Sequence, residues 1–400
     1  MPEERVGLAS FFAGEGEDEQ WIPIAAQMHD HAMTVAKVAA KEFYYDAKCL
    51  IKTSVNVANY YEMDSCLGFA DAYNYEVEAL GGKMVYGENS MPTIDFRDTL
   101  IKKPEDLAKL RKKEVDWRKD GRLPYALESV ALNMEYGTVQ GIFCSPFSLA
   151  VGLCSYPRLI KFMRKQPEFA HELYTFIVDD VLEPYLKVQN EDAGVMMAIG
   201  ADAWACVPNL SPEEMQEWVV PYNQRITEKA KKFGLMAMNV SGDYCEERLE
   251  KFDKKILHDS FDVEIASQGG LPSLFLAMGR WHEYPLDAVL EYTKKFLEEG
   301  NKPTVTAGLN GRMLRDGPVE KIVDNVKRFI DAFARDHNLT MFCANIPADT
   351  PTDHIHAAIV ATHTYGRLPI ADNLDDIKFE LPKRESFQEW KKNVSPEILA

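Results

Sequence analysis

The sequence lacks the short motifs that mark the common nucleotide-binding and protease sites. No CxxC, HExxH or GxGxxG pattern and no Walker phosphate loop occurs in its 400 residues. Each of these motifs places particular residue types at the spacing that its chemistry needs, such as two zinc-binding histidines one helical turn apart. Their absence excludes the usual forms of those sites, so any chemistry must come from residues that are distant in sequence.

Long apolar runs and an excess of positive charge are also missing. No stretch approaches the roughly 20 apolar residues needed to cross a bilayer. The start, MPEER, has neither the basic region nor the apolar run of a secretory signal. With 45 basic against 63 acidic residues, the formal net charge of -18 argues against nucleic acid or an anionic membrane as a partner. The sequence therefore predicts a cytoplasmic protein.

Cysteine is present, but not in a pattern that suggests disulfides. The seven cysteines are an odd number at irregular spacings, which fits a reducing compartment better than a disulfide framework. Hydrophobic residues make up 46% of the chain, enough for a large core.

Strand-like apolar runs alternate with amphipathic helical segments along most of the chain. The predicted strands are 21–27, 137–144, 201–207, 235–240, 263–266, 304–308 and 339–343, and the longer predicted helices are 157–190, 211–233, 286–300 and 319–336. Ser211 begins one of these helices, because a hydroxyl N-cap is followed by Pro and two acids. Such alternation predicts a parallel sheet, and about eight units favour a closed (β/α)8 TIM barrel. We expect a single barrel domain over 1–400, with a mostly helical elaboration over about 40–125.

Polar residues follow several of the predicted strands, where parallel α/β folds place their chemistry. His29 and His31 flank Asp30 just after the first strand. On an extended backbone both imidazoles would face one side and could bind a metal or orient a substrate. An ordinary polar loop is the alternative. Further candidates at strand ends are Asp71, Glu76, Ser145, Asn239, Gln268 and Asn310.

Three cysteines also lie close to predicted strand ends. These are Cys206, Cys245 and Cys343. Two or three thiolates with one histidine or carboxylate would suit a tetrahedral zinc ion that keeps its fourth position open. The alternative is that each is a small buried hydrophobic residue.

Four segments in order resemble one known superfamily. They are FAD with EVEALG at 69–81, GIFCSPFSLA at 141–150, IGADA with LSPE and VPY at 199–222, and the closing PADTP with IHA at 347–357. They are similar to segments of the uroporphyrinogen decarboxylase superfamily, which also contains the cobalamin- and coenzyme-M-dependent methyltransferases. The resemblance covers about 20–370 and implies a TIM barrel.

Within this superfamily, the resemblance favours the corrinoid-dependent methyltransferases. Their zinc enzymes carry an H-x-C motif where this chain has Asn239 and Ser241, and a later cysteine that Cys343 matches. Either zinc is absent here, or the site is rebuilt with Cys245 and Cys206. The second case resembles methyltransferase I of anaerobic O-demethylases, whose zinc site uses a carboxylate and two distant cysteines.

Classical uroporphyrinogen decarboxylase has an R-Q-A-G-R segment that grips the substrate's carboxylates. The corresponding residues here are QMHDH at 27–31, without an arginine, although Asp71 matches the catalytic aspartate. One acid without those arginines is poorly suited to a substrate with eight carboxylates, and the net charge of -18 makes this substrate a worse fit still.

The resemblance thus implies transfer of a methyl group from a small methylated substrate, such as an aryl methyl ether, to the cobalt of a separate corrinoid protein. Zinc would act as a Lewis acid on the ether oxygen, and a homodimer is the default assembly. The expected zinc ligands are Cys206, Cys245 and Cys343, completed by Glu246, His29 or Asp71. Expected catalytic residues are Asp71, His29 and Asn239, and expected substrate contacts are His31, Glu76, Ser145 and Asn310. The alternatives are a metal-free decarboxylase that uses Asp71, and a catalytically idle scaffold.

Overall fold

The structure is a computed structural model that describes residues 21–66, 75–88, 90–136, 141–241, 251–276 and 285–396. Its strands are β1 Ile24–Ala26, β2 Ser65–Cys66, β3 Met84–Val85, β4 Thr93–Ile94, β5 Gly141–Cys144, β6 Met197–Asp202, β7 Met236–Ser241, β8 Ser273–Phe275, β9 Thr304–Leu309 and β10 Asn338–Cys343.

Helices separate most of these strands. They are α1 His29–Ala36, α2 Ala40–Phe43, α3 Ala47–Tyr61, α4 Tyr75–Ala79, α5 Pro104–Leu110, α6 Leu123–Glu135, α7 Pro146–Cys154, α8 Tyr156–Lys165, α9 Pro167–Phe176, α10 Glu183–Ala193, α11 Pro212–Trp218, α12 Val220–Lys231, α13 Lys254–Ser267, α14 Leu286–Glu298, α15 Gly311–Asp316, α16 Val319–Phe333, α17 Thr352–Tyr365 and α18 Phe387–Asn393. A π-helical segment, Ile177–Leu182, joins α9 to α10. In the described part of the chain, no helix combines the length and apolar character that a membrane span needs.

Eight of the strands form two parallel sheets. One sheet has the order β2-β1-β10-β9-β8 and the other β5-β6-β7, while β3 and β4 form a short antiparallel pair. Within the described ranges, no pairing connects β2 to β5 or β7 to β8. The predicted parallel α/β fold is therefore present, but the closed barrel is not seen among these strands.

Helices cover one face of each sheet. Along β10, Met341 and Cys343 belong to the main core that the helices share, whereas Phe342 packs with Ala25 and Ala344 in a small separate cluster. This alternation follows from the pleat, which turns successive side chains to opposite faces. We name the two sides the helix-covered face and the uncovered face.

Side chains from helices satisfy the free edge of β5. The Gln189 amide on α10 accepts the Ile142 N–H at 3.0 Å and donates to the Ile142 carbonyl at 2.9 Å. Farther along the edge, the Cys144 N–H donates to Glu76 Oε1 at 2.7 Å. These bonds replace those that a neighbouring strand would supply, since buried backbone groups need partners.

Two predicted strands differ from the structure. Of the predicted strand 201–207, only 201–202 lie in β6, and 203–207 form the turns that follow it. Residues 263–266 lie inside α13, which begins where the Asp253 carboxylate caps the N–H groups of Lys255 and Ile256. Val263 and Ile265 alternate with polar residues, and a short run of this kind has no length to distinguish strand from helix. The actual strand in this region, β8, comes later and has only three residues.

Candidate functional site

The uncovered face carries small and apolar side chains. Strand register and the pleat place on it Ala25, Ile142, Ile199, Ala201, Met238, Val240, Phe275, Thr306, Gly308, Thr340 and Phe342. Among the described strand residues, none on this face is Asp, Glu, Lys, Arg or His. Within the described strands, the carboxyl-terminal part of this face, where parallel folds bind ligands, therefore has no charged side chain, and we call this surface the uncharged floor.

The predicted histidines after β1 have different surroundings. His29 follows the strand, is partly buried, and has a φ of 32° in the left-handed region, which is strained for a side chain with a Cβ. His31 is fully buried, and its Nε2 lies 2.8 Å from the Tyr61 hydroxyl oxygen. Burial lowers the pKa of His31 to about 4. His31 is thus a neutral core histidine, and His29 remains the candidate at the strand end.

Asp30, between these histidines, is partly buried and accepts a hydrogen bond from the Tyr44 hydroxyl. Burial raises the pKa of Asp30, and the Tyr44 bond opposes that rise. Tyr44 thereby fixes the start of α1 against the end of α2.

Ser145 and Asn239, two predicted site residues, meet each other. The Ser145 hydroxyl donates to Asn239 Oδ1 at 2.7 Å, and Asn239 Nδ2 donates to the Asn223 carbonyl of α12 at 3.3 Å. All three residues are fully buried. Asn239 lies on the helix-covered face, so this chain of bonds joins β5 and β7 to α12. These hydrogen bonds can position the ends of the two strands. A direct catalytic role of Asn239 stays a prediction.

Glu76 and Asn310, predicted to contact substrate, both bind backbone groups. Glu76 is fully buried and holds the β5 edge through Cys144. Asn310 is the N-cap of α15, where its Oδ1 accepts the Met313 N–H at 3.0 Å. Their contact with substrate remains a prediction.

Sequence reasoning missed Asp202, the last residue of β6. It is fully buried, and its Oδ1 accepts the Ser148 N–H at 2.9 Å and the Ser148 hydroxyl at 2.7 Å. The carboxylate thereby caps the first turn of α7, and burial raises its pKa to about 6. The signal was available, because an acid that ends an apolar strand demands a partner.

Glu264 on α13 was also missed, since it lies in the segment predicted as strand. Its buried Oε1 accepts the Phe275 N–H at 2.8 Å and a bond from the Gln268 amide at 3.3 Å. Burial raises the pKa of Glu264 to about 8. A protonated carboxyl thus holds the free edge of β8 at neutral pH.

The described cysteines do not assemble a zinc site. Cys343 is fully buried on the helix-covered face, and burial raises its pKa to about 12. Cys206 lies in the turn after β6, where its thiol donates to the Ala203 carbonyl at 3.5 Å and accepts from Asn209 Nδ2 at 3.6 Å.

Three predicted residues, Asp71, Cys245 and Glu246, lie outside the described residues. Within the described ranges, no three His, Cys, Asp or Glu side chains come together as metal ligands would. Because these three residues are not described, the predicted ligand set stays a prediction, and we assign no reaction step to zinc.

Comparison with known proteins agrees with this architecture. The family model described as Uroporphyrinogen decarboxylase (URO-D) matches residues 10–365. A solved structure of a methyltransferase from Methanosarcina mazei is similar, with a TM-score of 0.64, 16% identity, and coverage of 89% of this chain and 96% of that chain. At this identity the likeness shows the fold alone. No curated protein matches the sequence. Because the family match extends over most of its length, this chain belongs to the uroporphyrinogen decarboxylase family.

Proposed function

We propose that this protein is a methyltransferase that moves a methyl group from a small, uncharged methylated substrate, such as an aryl methyl ether, to the cobalt of a separate corrinoid protein. The family also contains decarboxylases, so the choice between the two reactions depends on which kind of substrate the site can bind. A solved methyltransferase of the same fold supports the transfer reaction as a class.

The uncharged floor at the strand ends is the observation that carries this proposal. A porphyrinogen with eight carboxylates needs cationic partners, because an unpaired anion is costly to remove from water. The described strands offer no Lys or Arg on the uncovered face. Aliphatic and aromatic side chains there suit an uncharged ring, which gains free energy when its apolar surface leaves water.

The reaction breaks the bond between the methyl carbon and the ether oxygen. The bonding electron pair stays on the oxygen, which takes a proton from water to give a phenol. The electron pair of the new bond to the methyl carbon comes from the reduced Co(I) corrinoid of the partner protein. The role of the chain is to hold the ring on the floor with its methoxy group turned towards the partner. His29, at the end of β1, is the described candidate for contact with the polar end of the substrate.

Zinc remains a prediction of the sequence and is not needed for this part of the proposal. When bound, a zinc ion would polarise the ether oxygen as a Lewis acid. Cys206 and Cys245 are the cysteines to test first, because Cys343 is buried on the opposite face.

We also infer that the two sheets are parts of one (β/α)8 barrel. The strand orders β2-β1-β10-β9-β8 and β5-β6-β7 combine into one circular order with two gaps. That order is the one in which eight consecutive β/α units close.

A methyl-transfer assay tests the reaction. Full-length protein is mixed with anisole and either a reduced corrinoid protein or free reduced cobalamin. We expect the visible spectrum of methyl-cobalt to appear, with one phenol formed per methyl group. Heat-denatured protein serves as the control.

Decarboxylation would give a different result. Release of CO2 from uroporphyrinogen, with no methyl-cobalt from any ether or amine in a broad panel, would replace the proposal with a decarboxylase that uses Asp71.

A further inference from the structure

Two phenylalanines meet on the uncovered face at the ends of their strands. Phe275 is the last residue of β8, and Phe342 is next to last in β10. β9 runs between them and places Gly308, which has no side chain, beside Phe342. The ring centroids are 5.3 Å apart with an interplanar angle of 61°, an edge-to-face contact.

This pair is separate from the main core. Phe342 is buried with Ala25 and Ala344 in their own cluster, and Phe275 packs against that cluster while part of its surface remains exposed. One ring is therefore held in place, and the other presents aromatic surface at the carboxyl ends of the strands. Offset or edge-to-face packing of a further ring on such a surface is favourable beyond the area it buries.

Backbone bonds fix the position of Phe275. Its N–H donates to the buried Glu264 carboxyl at 2.8 Å, although β8 has no strand neighbour on that side among the described residues. The next residue, Leu276, bonds through its N–H to the Thr306 carbonyl of β9 at 2.8 Å. The ring thus stands on a strand end that is held from both sides, as a binding surface requires.

We propose that Phe275, supported by Phe342, is the platform that binds the ring of an aromatic methyl donor. The inference rests on the proposed function and adds the residues that hold the ring of an uncharged methoxyarene. Phe275 determines specificity because it distinguishes an aromatic ring from a saturated ring of similar size.

Calorimetric titration of the full chain with anisole and with methoxycyclohexane tests the platform. We expect wild type to prefer anisole. In Phe275→Leu the affinity for anisole falls about three- to tenfold, the range expected for one lost aromatic contact, while methoxycyclohexane binds nearly as before. Phe342→Leu shows a smaller loss in the same direction, because Phe275 loses its support.

Two further variants test whether the loss of anisole affinity is specific to the aromatic ring of Phe275. Phe296 is a partly buried phenylalanine on α14, outside the uncovered face, and Phe296→Leu should not change either affinity. Phe275→Tyr retains a ring and should retain the preference for anisole, which keeps the test valid if Phe275→Leu does not fold.

An unchanged anisole affinity in folded Phe275→Leu, or an equal loss for both ethers, overturns the platform. Methyl transfer by wild type is measured separately. If wild type prefers anisole through Phe275 but transfers no methyl group, the ring site stands and the proposed reaction fails. If methyl transfer occurs and Phe275→Leu binds anisole normally, the reaction stands and the platform is wrong.

Discussion

The side chains of Cys343 and Phe342 lie on opposite faces of β10. The two residues are neighbours at the end of one apolar run, and Cys343 is the one that the sequence predicts as a site residue. Because the pleat turns them to opposite faces, only the strand register determines which one faces a ligand. The sequence identified the strand end but favoured Cys343, since chemistry was expected from the thiol.

Glu264 gives a prediction about pH. Its pKa is raised from 4.5 to about 8, so its contribution to stability is complete below pH 4.5 and is lost as the pH rises towards 8. In this window one such group reduces the free energy of unfolding by about 1.4 kcal/mol per pH unit. Glu264→Gln keeps an acceptor for the Phe275 N–H and cannot ionise, so we expect this slope to disappear in urea titrations at several pH values.

The matched control for this slope is Glu320→Gln on α16, where the carboxyl group is exposed. Its unfolding free energy should follow wild type across the same pH range. An unchanged slope in Glu264→Gln would show that Glu264 is ionised in the folded protein.

The cysteines give a prediction about metal. The sequence predicts one zinc per chain and its loss in both Cys245→Ser and Cys343→Ser. Because Cys343 is fully buried on the helix-covered face, we expect metal analysis to show loss in Cys245→Ser and retention in Cys343→Ser. Cys49→Ser on α3 is the control and should retain the metal. Zinc loss from a folded Cys343→Ser would restore Cys343 as a ligand.

At the scale of elements, Gln189 replaces a strand neighbour of β5. Gln189→Met removes both bonds to Ile142 and leaves a buried N–H and carbonyl without partners, at a cost of about 2–5 kcal/mol. Urea denaturation measures this loss. Gln224→Met on α12, where the side chain is exposed, should change stability by less than about 1 kcal/mol. Equal stability of the two variants would mean that water satisfies the β5 edge.

The same contact explains a glycine of the family-like segment at 141–150. A Cβ at Gly141 would lie 2.3 Å from Gln189 Oε1, so Gln189 would have to move and give up its bonds to Ile142. The glycine is visible in the sequence. Its packing against a side chain of α10, which comes later in the chain, is visible only in the structure.

Short local sequence patterns gave the most reliable predictions of individual helices and strands. Ser211 caps α11 as its sequence predicted, because the Ser211 hydroxyl and the Glu214 carboxylate satisfy each other's backbone N–H groups. β9 and β10 begin and end within a residue of the predicted runs. β2 and β8, with two and three residues, are too short to show any periodicity and were missed.

At the scale of the whole molecule, alternation of strands and helices was enough to predict a parallel α/β architecture, and the family match confirms the family that the sequence segments suggested. The two gaps between the sheets were not predictable. In the described part of the chain, the strand borders at these gaps are bound by Glu76, Gln189 and Glu264, polar side chains from helices that carry no periodic signal.

Those polar side chains also affect how the molecule behaves in a crowded solution. A strand at the border of a sheet normally offers a row of bare amides that can recruit a strand from another molecule and start an aggregate. Along β5 and β8 the amides of Ile142, Cys144 and Phe275 are already bound to side chains of the same chain. At these three positions a strand from another molecule therefore finds no free amide with which to pair.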